Sequence, residues 1–145
     1  MTSNTARTVV GGLAGTLVMT GMLYGVAPMM GVHMDIAAML GSVLGGSWLA
    51  GLVMHVMNGA IIFPLIFGLF VQQWLPGSPT VRGVAFGLGL WLVSQVMVMP
   101  MMGAGFFSAN AGGAMAALGS FVAHALYGGV LGAVSGTPFR VASHA

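Results

Sequence analysis

The chain has 145 residues, of which 58% are hydrophobic and 3% charged, and its only formal charges are Arg7, Asp35, Arg82 and Arg140, for a net charge of +2. A soluble domain keeps its surface wet with about 25% charged residues, so this composition excludes a water-facing surface and makes the chain a membrane protein. Zero Cys excludes disulfides, thiolate metal sites and Cys nucleophiles, and so small and dispersed a charge gives no footprint for nucleic acid.

The first apolar stretch follows Arg7 and predicts a helix over about 8–30, ended by Gly31-Val32-His33-Met34-Asp35. It exceeds the 7–15 apolar residues usual in a signal peptide and lacks a small-residue cleavage site, so it is expected to stay in the mature chain. Asp35 is placed to cap a short interfacial helix over about 36–42. A second span is expected over about 44–71, where Pro64 removes the backbone bond to Ala60 and should kink the helix. Pro76-Gly77-Ser78-Pro79 closes it, a third span runs over about 82–106, and Ser108-Ala109-Asn110-Ala111-Gly112-Gly113 separates it from a fourth over about 113–135. No segment alternates as an outer-membrane strand must. The fold class read from this pattern is all-α: an integral membrane four-helix bundle, one membrane domain spanning 1–145, made of two tandem transmembrane hairpins over about 8–71 and 82–135.

Four spans place Arg7, Arg82 and Arg140 on one membrane face and Asp35 on the other. Arg concentrates on the cytoplasmic side, which predicts an inner-membrane protein with both termini cytoplasmic.

Ala27-Pro28-Met29-Met30-Gly31 near the end of the first span is echoed by Met99-Pro100-Met101-Met102-Gly103 near the end of the third. The following span carries His55-Val56-Met57-Asn58-Gly59 in one half and His124-Ala125-Leu126-Tyr127-Gly128 in the other. These echoes read as a duplicated hairpin with a pseudo-two-fold axis along the membrane normal. His55 and His124 then take equivalent places near mid-membrane and are able to face one another.

Ionisable residues within a span are uncommon and usually turn inward, so both histidines are candidate site residues. Gly51, His55 and Gly59 share one helical face, and Ser120, His124, Gly128 and Gly132 share another. Small residues one turn from a His leave a shallow groove, which admits either a close-packed helix or a flat macrocycle ligated by both imidazoles, a bis-His haem b. No Arg lies near the proposed plane to neutralise haem propionates. The competing reading has neutral His55 and His124 hydrogen-bonded to interior polar groups such as Asn58, Gln95, Ser94 or Tyr24, with Tyr127 a further interior polar residue.

Methionine forms a second constellation, 14 in all. Met30 and Met34, with His33 beside them, and Met97 and Met101 gather toward the predicted outer face. Thioethers select Cu(I), so copper handling competes with simple apolar packing. Gly11/Gly15, Gly41/Gly45, Gly83/Gly87 and Gly128/Gly132/Gly136 read as close-approach positions, Thr16, Thr20 and Tyr24 as an inward polar stripe, and Trp48, Trp74 and Trp91 as belt candidates, Trp91 the deepest.

No Asp or Glu lies within a span, which disfavours proton-coupled export, and no HExxH, phosphate loop, carboxylate pair or complete Ser–His triad is present. The expectation is a non-enzyme. Pro100-Met101-Met102-Gly103-Ala104-Gly105-Phe106-Phe107-Ser108, paired with His124, Tyr127 and Gly128, resembles uncharacterised small prokaryotic four-helix membrane proteins of a domain-of-unknown-function type. That resemblance covers mainly residues 55–132 and implies a four-span protein with no established activity. The first half departs from it with Asn58 where the second has Tyr127, which puts the equivalence of the two His sites in doubt. The functional expectation is an accessory subunit or small-ligand binder in the bilayer, in a larger membrane complex such as a respiratory one or as a homo-oligomer. Haem b is its sharper form, and Cu(I) handling or a purely structural role are the alternatives.

Overall fold

A computed structural model describes residues 3–29 and 31–136; Met30 and Arg140 lie outside the described residues. Four helices are long and apolar enough to cross a bilayer: α1 (Thr5–Met29), α3 (Trp48–Val71), α4 (Pro79–Met101) and α5 (Gly113–Ser135). Between the first two lies the short α2 (Ile36–Ser42), and no strand occurs among the described residues. Helices satisfy their own backbone groups, which lipid cannot do, and this is why so apolar a chain resolves into them.

Local chemistry sets the ends. Asp35 caps α2 as its position predicts, accepting from Ala38 N–H at 3.0 Å. α3 starts later than residue 44 because Gly45 and Gly46 turn at positive φ and Ser47 supplies the cap, accepting from Ala50 N–H at 3.2 Å. α4 starts earlier than residue 82, for Ser78 caps it and Pro79, with no N–H to lose, fits the first turn. It also ends before residue 106: Gly103 turns at φ 78°, and a 3-10 turn over Phe106–Ser108 follows.

Three prolines sit within spans, and each follows a widened π turn: Met22–Val26 before Pro28, Asn58–Ile62 before Pro64, Ser94–Val98 before Pro100. In each, the residue preceding proline donates to the carbonyl five residues back: Ala27 to Met22, Phe63 to Asn58, Met99 to Ser94. A proline ring collides with the carbonyl four residues back in a regular α-helix, and the wider turn makes room for it. The disturbance expected at Pro64 takes this form.

Glycines decide which helices touch. A Cβ on Gly83 would lie 2.0 Å from the Gly128 carbonyl oxygen, and one on Gly128 would lie 2.1 Å from that of Gly83, so α4 and α5 meet backbone to backbone. α1 packs on another side of α5, where a Cβ on Gly15 would stand 2.8 Å from the Tyr127 carbonyl oxygen. α3 flanks α1, with Gly12 against Pro64, and α2 lies on α3. α3 and α4 meet chiefly at one end, where the Phe67 and Phe86 ring centroids are 5.2 Å apart. At that same end Arg7 Nε donates to the Val134 carbonyl at 3.3 Å and the Gln72 amide donates to the Gly136 carbonyl, tying α1 and α3 to the C-terminal turn of α5.

Candidate functional site

Because α3 and α4 stand apart over most of their length, the bundle encloses a partly open cavity of about 180 Å³. All four spans and α2 contribute to its wall. Phe67, Phe86 and Leu131 pack the bundle toward the arginine end, and Met34, Met99, Ala104 and Ala116 form a second apolar cluster toward the Asp35 end. On the side where α3 and α4 stand apart, Asn58 and Phe63 of α3 and Leu90, Val93 and Val98 of α4 line the cavity, and Val93 is also 50% exposed.

His55 and His124 lie on the same cavity wall system, as do Asn58, Ser94, Ser120 and Tyr127. His55 Nε2 is 3.0 Å from Thr20 Oγ1, so the inward Thr of α1 partners the imidazole of α3. His124 Nδ1 lies 2.8 Å from the carbonyl oxygen of Ser120. A carbonyl only accepts, so Nδ1 carries the proton and a neutral His124 presents Nε2 as a bare acceptor. No polar group among the described residues reaches Nε2 or the Asn58 amide.

A polar chain runs from the wall to the loop between α4 and α5. Ser120 Oγ is 3.4 Å from His124 Nδ1 and accepts from Gln95 Nε2 at 3.4 Å, and Gln95 Oε1 accepts from Ser108 Oγ at 2.9 Å. Gln95 and Ser108 are fully buried. Tyr127 donates to the Gly59 carbonyl at 2.8 Å and bridges α5 to α3. The sequence marks Gln95 and Tyr127 as interior polar residues, but Ser108 only as part of a break and as the end of the Pro100–Ser108 motif, with no spacing that ties it to Gln95.

The remaining predicted positions fall as follows. The glycine grooves are filled by neighbouring backbone and, at Gly59, by the Thr16 side chain: a Cβ would meet the Ala37 carbonyl oxygen at 1.9 Å from Gly51, Thr16 Oγ1 at 2.3 Å from Gly59, and the Pro79 carbonyl oxygen at 2.2 Å from Gly132. Gly51, Gly59, Gly128 and Gly132 thus seat helices. Tyr24 is 40% exposed and lies outside the interior, donating to Asp35 Oδ1 at 2.7 Å. Met34 is buried on the cavity wall, Met97 and Met101 are 58% and 75% exposed, and His33 is exposed, so these groups face different surroundings. Trp91 is held by its indole N–H on the Ala117 carbonyl at 3.1 Å and packs edge-on to Phe121.

Asp35 is the polar centre of the other end. Its carboxylate accepts from Ala38 N–H, the Tyr24 hydroxyl and, at 3.1 Å, the Trp48 indole. These donors, the Ala38 amide foremost, hold the carboxyl below its ordinary pKa.

The family described as "Family of unknown function (DUF6789)" matches residues 2–143. No curated protein and no solved structure matches the chain. The chain belongs to that family of unknown function.

Proposed function

We propose that this DUF6789 member is a membrane-embedded binding protein that takes a small apolar molecule out of the bilayer through the gap between α3 and α4. The observation that carries this reading is the cavity: about 180 Å³, partly open, set between two apolar clusters, and bearing two imidazoles on its wall. An intramembrane polar group is expensive unless it serves structure or a ligand, and Nε2 of His124 serves no structure. Positive-inside reasoning puts the Arg7 and Arg82 end in the cytoplasm of a cell whose inner membrane holds the protein.

The wall does not fit haem b. Pockets for drug-sized ligands run to about 300–1,000 Å³, well above this cavity, and the flanking glycines are already covered by helices. His55 Nε2 is engaged by Thr20, and no Arg lines the cavity. Met34, Met97 and Met101 do not gather into one Cu(I) site either, since Met97 and Met101 face outward while Met34 shares the cavity wall with Met19, Met99 and Met102.

The test is 19F NMR of fluorobenzene with the protein in nanodiscs. A saturable, shifted resonance is expected over the partitioned background, and Val93→Trp, which fills the lateral gap, should abolish it. Partitioning alone, or a saturable signal indifferent to Val93→Trp and to Leu90→Trp, rejects the proposal.

A further inference from the structure

We propose that the ligand is a membrane-soluble phenol or quinol, whose single ring occupies the cavity and whose hydroxyl donates to Nε2 of His124. The inference rests on the cavity being a binding site and adds the chemistry of its occupant. Size gives the ring. An engineered apolar cavity of roughly 150 Å³ holds one benzene, so about 180 Å³ holds one six-membered ring with a substituent.

Hydrogen-bonding capacity gives the hydroxyl. Because the Ser120 carbonyl, 2.8 Å away, fixes the proton on Nδ1, Nε2 can only accept. A hydrocarbon or a ketone offers this acceptor no proton, whereas an O–H donor satisfies it. An ammonium donor is excluded by the wall, which carries no acidic residue. The Asn58 amide, on the facing helix and without a partner among the described residues, supplies both a donor and an acceptor for a second ring oxygen. Phe63, Leu90, Val93 and Val98 line the cavity where α3 and α4 stand apart, giving an apolar tail an apolar surface to follow toward lipid.

Three probes in the same nanodiscs decide it: 4-fluorophenol, fluorobenzene and cyclohexanol, each corrected for partitioning. The phenol should bind at least tenfold more tightly than either of the others, and His124→Phe should erase its advantage over fluorobenzene. A measurement on the unmodified protein guards against a variant that fails to fold: the 15N resonance of His124 Nε2 should move with the phenol and stay fixed with fluorobenzene. Equal binding of phenol and fluorobenzene, or an unmoved Nε2 resonance, overturns the assignment of the ligand while the cavity reading stands. Cyclohexanol binding as tightly as the phenol overturns the phenolic character of the ligand. No saturable binding by any probe overturns both readings together.

Discussion

Phe107 and Ser108 hold φ at 50° and 58°, a left-handed conformation that costs side-chain-bearing residues about 1–3 kcal/mol each. That conformation lets the fully buried Ser108 donate to Gln95, the third member of the chain that ends at His124. Ser108→Ala leaves Gln95 Oε1 buried and unpaired, so a loss of about 1–3 kcal/mol is expected in unfolding measured in mixed micelles. Ser108→Gly loses the same bond but relieves the backbone, and its loss should be smaller. At Asp35 the sign follows from a carboxyl pKa depressed by folding: the contribution to stability is present above the unfolded carboxyl's pKa and is lost as pH falls through the lower folded value. Trp48 fluorescence should therefore change on acidification below the usual carboxylate range, and Asp35→Asn should remove that transition. The interior polar residues were legible because each is a polar exception in an apolar helix. Tyr24 was not, since it falls inside the Met22–Val26 π turn, where a helical stripe at ordinary spacing loses its phase.

Among the elements, the number and type of spans follow directly from apolar length, and their ends from caps that a sequence displays but does not rank. Ser78-Pro79 reads equally well as a break or as a start, and only the Ser78 hydroxyl on Val81 N–H decides it. Helix pairing is harder, because glycine marks a close approach without naming the partner. Here Gly11 and Gly15 of α1 and Gly83 and Gly87 of α4 all turn to α5, which places that helix centrally. Gly83→Ala should force α4 and α5 apart and cost about 1–3 kcal/mol, the range for an overpacked contact. Gly89→Ala on the same helix meets open space and should be neutral, or stabilising by no more than about 1 kcal/mol. Unfolding of the two variants side by side separates close packing from helix propensity.

For the molecule as a whole, the cavity falls where the packing of the two hairpins differs. A dyad relating α1 to α4 and α3 to α5 would pair the α1–α5 interface with an α3–α4 interface, yet the first is close-packed and the second open beyond Phe67 and Phe86. Phe63 lines the cavity from α3. Phe63→Ala should accordingly enlarge the cavity and raise the size of ring the protein takes up, read from the binding of para-substituted fluorobenzenes. The absence of native Cys makes orientation measurable without background. Ala38 and Gln73 are exposed at opposite ends of the bundle. If Arg7 and Arg82 mark the cytoplasmic side, an impermeant maleimide labels Ala38→Cys in intact spheroplasts and Gln73→Cys only in inverted vesicles. The reverse pattern would put the Asp35 end, with its Tyr24 and Trp48 partners, in the cytoplasm and defeat an orientation inferred from so few arginines, while leaving the lateral gap, which opens to lipid in either orientation, unaffected.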